Sequence, residues 1–311
     1  MPRTRFALIP LLLAIAVPAT AQDAGPLALL LPVSARPAAL GNAWVAGRDE
    51  YAVFSNPATV SATTGFGVTL GAYGSDTKTI AAVSGATVGN FTLGWGVHLV
   101  DFSTSRTDPT YPFAPAALTG SGDADNFSML ALMAVRMTKW RFQLGASAKY
   151  TQDIAPRETS GSALLVVPER GNALLLDVGA THALWTGTAG LAVQNIGEPY
   201  RMGGRYVAIP SQIALGWTKQ RPLGPLDFGF ASQATLRRGG WLGVGGGVDF
   251  GWSWIEGYQV GARIGARRTE TGDERPVALG ATFNADRLNV EYGIGFFAND
   301  TYAHRLTLRW R

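Results

Sequence analysis

A two-residue rhythm, apolar on one parity and polar or glycine on the other, recurs in about fourteen segments of this chain. Residues 287–296 show it plainly. Leu288, Val290, Tyr292, Ile294 and Phe296 alternate with Asn289, Glu291, Gly293 and Gly295. Successive side chains of a strand point to opposite faces, so each segment has one greasy face and one wet one. Many such segments in one chain describe a sheet with lipid on one side and water on the other. In hydrocarbon an unpaired backbone group costs several kcal/mol, so a sheet there must close on itself. The expected fold is all-β, a closed antiparallel transmembrane β-barrel of about 14 strands.

The rhythm places strands near 66–74, 78–88, 90–102, 126–136, 139–151, 172–184, 187–195, 208–218, 226–236, 240–252, 258–268, 276–285, 287–296 and 302–310. The connections obey a second rule. Long ones at 104–125, 153–171 and 196–207 alternate with short ones at Gly89, Met137-Thr138, Thr186 and Ala285-Asp286, and 219–225 is the longest of the short set. Outer-membrane barrels have short periplasmic turns and long outer loops. Threaded this way, Trp140, Trp185, Trp217, Trp252, Trp254 and Trp310 fall at periplasmic strand ends, while Trp241, Tyr150 and Tyr302 fall at outer ends. Two aromatic belts suit the two interfaces of a bilayer.

Composition narrows the compartment and the partners. Arg3 and Arg5, the apolar run 6–17 and Ala19-Thr20-Ala21 read as an export signal, 1–21, cleaved near Ala21. That leaves 22–64 as a segment ahead of the barrel and 65–311 as the barrel, in the bacterial outer membrane. With no cysteine, neither disulfides nor a lipidated cysteine is available. The net charge of +4 falls to +2 without Arg3 and Arg5, and no basic run accompanies it, so nucleic-acid binding is not supported. Outer-membrane lipid is the expected partner. The closing run, with Leu306, Leu308 and Trp310 before Arg311, resembles the signal read by the barrel-assembly machinery.

Charges on the wet parity must face water or each other, because the lipid midplane penalises them by about 2–4 kcal/mol. They include Asp177, Asp227, Asp249 and Glu291 against Arg136, Arg141, Lys149, Arg263, Arg267, Arg305 and Arg309. In one register Glu291 lies near Arg305 or Arg309, and Asp249 near Arg263. These charges read as pairs along the lumen wall, or else as a solute track or a surface on which a plug docks. His98, His182 and His304 sit on separate strands without metal-ligand spacing, so no metal or other cofactor is implied. His98, with Asp101 and Ser103 beyond it, is read as a hydrogen-bonding lumen residue rather than a catalytic one.

The segment 22–64 carries Ala35-Arg36-Pro37-Ala38-Ala39-Leu40-Gly41-Asn42-Ala43-Trp44-Val45-Ala46 and Glu50-Tyr51-Ala52-Val53-Phe54-Ser55-Asn56-Pro57-Ala58. This resembles the N-terminal motif of the PorV/PorQ family, within the wider FadL-like group of outer-membrane barrels. The resemblance implies that Ala35, Arg36, Gly41, Trp44, Asn56, Pro57 and Ala58 belong to a plug at the periplasmic end. It also implies a non-catalytic barrel serving type IX-like protein secretion, with secreted cargo or secretion-system proteins as partners. Loops 104–125 and 153–171 would then meet cargo, the first through Pro109, Tyr111, Pro112, Phe113 and Pro115. The alternative implied by the wider group is a FadL-like channel for hydrophobic small molecules.

Overall fold

The computed structural model describes residues 25–60, 65–74, 77–103, 125–139, 142–158, 166–202, 205–270, 273–298 and 300–310. The fourteen strands close into one antiparallel barrel. They are β1 (Phe66–Tyr73), β2 (Thr77–Val88), β3 (Phe91–Ser103), β4 (Asp125–Lys139), β5 (Phe142–Glu158), β6 (Val166–Leu184), β7 (Gly187–Ile196), β10 (Gln212–Leu223), β11 (Leu226–Arg237), β12 (Leu242–Ile255), β13 (Tyr258–Arg267), β14 (Glu274–Ala285), β15 (Leu288–Phe297) and β16 (Tyr302–Trp310). A separate hairpin, β8 (Tyr200–Met202) and β9 (Arg205–Val207), lies between β7 and β10. The seam between first and last strands runs in register from Phe66↔Trp310 to Tyr73↔Ala303, which removes the open edge that lipid forbids.

Parity decides burial throughout. On β5, Phe142, Leu144, Ala146 and Ala148 are exposed outward, while Ser147, Lys149 and Thr151 are buried inward. On β15, Asn289, Glu291 and Gly293 are buried between the outward Val290 and Tyr292. Turns at 89–90, 185–186, 224–225, 256–257 and 286–287 span two residues, each with one left-handed residue: Gly89, Trp185, Gly224, Gly257 and Asp286. Such turns match the twist of paired strands. They mark one rim, and the long connections mark the other. Trp185, Trp252, Trp254 and Trp310 project outward around the short-turn rim, where Trp254 stacks near Phe283 and Tyr258.

Three expectations are corrected. The stretch 153–171 is not a long loop: β5 and β6 pair from Phe142↔His182 to Glu158↔Val166 and form a tall hairpin. Its upper part stands clear of the other strands, where neither face needs to be oily, so alternation fades. The stretch 219–225 is mostly strand, because β10 runs on to Leu223 and opens only at 212. Trp241 shares the inward parity of Gly243 and Gly245, and its ring covers Gly243, so it faces the mouth of the lumen and not an interface belt. Trp140 and Arg141, together with Tyr111, Phe113 and Pro109 of loop 104–125, lie outside the described residues.

Candidate functional site

Residues 25–60 thread the barrel and fill its bore. Two short helices, α1 (Leu27–Leu30) and α2 (Ala35–Ala39), are followed by single 3-10 turns at Glu50–Phe54 and Pro57–Thr59. A chain with so little regular structure leaves its own N–H and C=O groups unpaired, and buried groups need partners. The inward side chains of the wall supply them. Ser128 Oγ accepts from Ala28 N–H at 3.1 Å, and Thr307 Oγ1 from Ala35 N–H at 3.0 Å. Gln233 Oε1 accepts from Trp44 and Val45 at 3.0 and 2.9 Å. Gln194 donates to the Ser55 carbonyl at 2.7 Å, and Thr218 to that of Ala46 at 3.0 Å. His98 places Nδ1 3.0 Å from the Ala28 carbonyl, with Phe54 against its edge. Asp101 is exposed on the opposite face of β3, so the two make no catalytic pair.

Space for the segment comes from glycine on the inward parity. A Cβ at Gly293 or Gly280 would lie within 3.0 Å of Ala35 or Ala39, and one at Gly265 or Gly245 would strike the backbone at 39–41. Gly216 and Gly190 face Val45 in the same way, and Gly145 and Gly179 face the Asn56-Pro57 turn. Cross-strand neighbours cooperate: Gly280↔Gly293, Gly190↔Gly216 and Gly145↔Gly179 are direct pairs. Sequence reasoning assigned the inward glycines only a small or wet face; the recurrence of glycine on that parity was the available signal for a close-packed occupant. Gly179→Val is expected to push the Asn56-Pro57 turn off the wall, an overpacking cost of about 1–3 kcal/mol. Limited proteolysis of the folded barrel checks it through faster cutting within 25–60.

The motif residues converge on this packing. Asn56, fully buried, accepts from Ala58 N–H at 2.9 Å and donates to the Val45 carbonyl at 2.7 Å. Pro57 and Ala58 sit buried against Gly145. Gly41 and Asn42 both take left-handed backbone, which lets the chain double back beneath β12 and β13. The Arg36 guanidinium lies 5.3 Å from the Trp44 ring centroid.

Ions fasten the segment. Glu291 Oε1 receives Arg36 at 2.7 Å, Arg263 at 3.0 Å, and Arg309 as well. Arg263 also bonds Asp249 at 2.9 Å, and Arg309 reaches Glu50 at 3.3 Å and Asp49 at 3.8 Å. Two residues of the threaded segment thus carry acid to a wall arginine, and one carries a guanidinium to a wall glutamate. Burial raises the Asp49 carboxyl above its ordinary range, against the pull of Arg309. Burial also works against the Arg36 cation, yet Glu291 and then Asp49 hold its pKa above the usual value. Arg305 stands apart from Glu291: its Nε donates to the Pro32 carbonyl at 2.7 Å. Higher in the wall, Lys149 pairs with Asp177 at 2.6 Å beside Asn195, whose left-handed backbone marks a shift in the β6–β7 register.

Above this closure, towards the long-connection rim, lies a cavity of about 180 Å³. Its lining includes Leu29, Leu30, Leu31, Val33, Leu130 and Trp241. Next to it, Leu27 and Ala28 pack with Val100, Phe102, Leu175, Tyr200, Met202 and Ile209, so the β8–β9 hairpin folds inward over α1. Below the closure, a polar vestibule of about 430 Å³ is lined by Arg36, Arg263, Arg309, Asp227, Asp249 and Asn284, among others. Among the described residues, 25–60 thus separate the upper cavity from this vestibule and from a further cavity of about 280 Å³ beside Leu40, Trp44 and Thr218.

No protein-family model matches the sequence, and no curated protein matches it either. Solved structures do. The CymD monoaromatic hydrocarbon channel aligns with TM-score 0.60 at 9% identity, over 90% of this chain and 96% of that one. The toluene transporter TbuX of Ralstonia pickettii aligns at 0.58 and 11%, over 90% and 97%. A FadL homologue of Pseudomonas aeruginosa aligns at 0.56 and 11%, over 92% and 99%. What these structures share with this chain is the fold; two of the three are named for a function, one as a channel and one as a transporter.

Proposed function

We propose that this protein is an outer-membrane channel for small hydrophobic molecules, with residues 25–60 as its plug. The observation that carries the reading is the upper chamber, closed below, whose lining sets Leu29, Leu30, Leu31, Val33 and Leu130 beside polar residues such as Lys149, Gln194, Arg267 and Glu274. A compact apolar molecule gains about 25 cal/mol per Å² of surface taken from water, which drives its entry without an energy source. The likeness to hydrocarbon channels supports the same reading. In cells made dependent on this barrel for entry, uptake of toluene should rise several-fold over cells lacking it. Equal uptake in both would defeat the channel reading.

A second reading follows from the plug itself. The run Ala35-Arg36 through Asn56-Pro57-Ala58 resembles the PorV/PorQ motif, and a lumen so tightly stoppered suits a docking barrel. On that reading the tall β5–β6 hairpin and loop 104–125 present surfaces to secreted cargo. Affinity purification from native membranes then recovers secretion-system proteins, whereas the channel reading predicts none.

A further inference from the structure

The outward face of six neighbouring strands, β13, β14, β15, β16, β1 and β2, is sorted by height. From the short-turn rim upward it carries Trp310, Leu308 and Leu306 on β16, Phe283 and Leu279 on β14, and Phe66, Val68 and Leu70 on β1. Charge enters this face at the long-connection end, with Arg268 just past β13, Arg275 at the start of β14 and Lys78 on β2. All three are exposed, and all three are positive. These six strands turn no carboxylate outward; the first one beyond them is Asp101 on β3, directly across from Lys78.

Two of these cations face each other. Two rungs past the Ala266↔Val277 pair, Arg268 stands opposite Arg275, and like charges so placed repel. The acids at that end are engaged elsewhere: Glu274 bonds Arg267 at 3.1 Å, and Glu270 bonds Arg237 at 2.7 Å. Arg268 stands on the lip of the upper cavity and gives one N–H to the Leu242 carbonyl at 3.1 Å. The side chains of Arg275 and Lys78 have no partner among the described residues. Between the two ends lie aromatic rings. Phe296 pairs with Tyr302, and His304, Ala72 and Lys78 follow on successive strands at one level. With strands about 4.8 Å apart, Lys78 stands about 10 Å from His304 and about 19 Å round the wall from Arg275.

We propose that this arc docks a phosphorylated glycolipid of the outer leaflet, its phosphates on Arg268 with Arg275 and on Lys78, its sugar faces over Tyr302 and His304. Charge complementarity carries the assignment. A guanidinium binds phosphate through charge-assisted, often paired hydrogen bonds, and a leaflet of phosphorylated headgroups brings that anion to the height where the wall lacks one. Inner-leaflet lipid meets the opposite rim, where the same strands present Tyr258, Phe283, Phe66 and Trp310 instead. The inference is independent of what passes through the bore.

The test titrates the full-length protein in detergent micelles with diphosphoryl lipid A and with the same lipid stripped of its phosphates, and counts bound lipid by native mass spectrometry. The diphosphoryl form should bind at least about tenfold more tightly, the scale of one charge-assisted contact. Arg268→Gln with Arg275→Gln should remove most of that preference and leave binding of the stripped lipid unchanged. Phosphatidylglycerol and inorganic phosphate, each added at the concentration of lipid A, should not displace it. If the double variant fails to assemble, Lys78→Gln tests the other end of the arc and should weaken the diphosphoryl form several-fold. Equal binding of the two lipids, a preference that survives loss of both arginines or is indifferent to loss of Lys78, or displacement by either simple anion would overturn the proposal.

Discussion

Glu291→Gln is expected to release the plug while leaving the barrel closed. The substitution keeps the volume of the side chain and an acceptor oxygen, so what it removes is charge. Glu291 is 1% exposed and is the common anion of Arg36, Arg263 and Arg309. Without it, three buried cations are left with Asp249, Asp49 and Glu50, two of which belong to the plug. Removing one member of a buried ion pair costs about 3–5 kcal/mol, because the other charge stays desolvated. That penalty is relieved most simply by Arg36 leaving for water, and α2 leaves with it. The strand ladder β14–β15–β16 holds no comparable dependence, since its backbone bonds persist. Protease cutting within 25–60 and single-channel conductance should both rise sharply. Arg36→Met should do far less, since Glu291 keeps two arginines. If both readouts stay at wild-type values in Glu291→Gln, the plug is held by packing alone.

The strands were legible because the two solvents on either side of the sheet write themselves into alternate residues. The boundaries near 187–195, 226–236 and 302–310 agree with β7, β11 and β16 to within one residue at each end. Where both faces meet water, that signal vanishes. The upper part of the β5–β6 hairpin pairs Pro156 with Pro168, a pattern no strand rule would select, so the sequence alone gives it the look of a loop. The pairing of Asp249 with Arg263 was legible because the two lie directly opposite on adjacent strands, and that of Arg309 with Glu291 because Arg309 sits two residues along from the direct partner of Glu291, Thr307. Arg36 and Glu50 as partners of the same network were not, since the contacts span 255 and 259 residues of sequence. The plug's backbone is satisfied by wall side chains such as Gln233 and Ser128 rather than by its own periodicity, so its sequence carries no pattern from which to place it.

Leu279→Arg is expected to damage assembly severely, and Thr282→Arg to be tolerated. Leu279 is 40% exposed on the outward face of β14, level with Ile264 and Ile294 on its neighbours. A guanidinium there meets acyl chains, at a cost of about 2–4 kcal/mol near the midplane. The long side chain offers limited relief by snorkelling, because Leu279 lies six residues before the strand end at Ala285. Thr282, three residues on, is 7% exposed on the other face and lines the vestibule of about 430 Å³. Room and water are available there, and Asp249 and Asp227 line the same chamber, offsetting repulsion from Arg263 and Arg309. Folding each variant into lipid vesicles and titrating with denaturant measures the difference directly. The outward variant should lose stability by the membrane penalty and the inward one by clearly less. Equal losses would mean that β14 does not divide oil from water, and the reading of the vestibule as an aqueous chamber would fall with it.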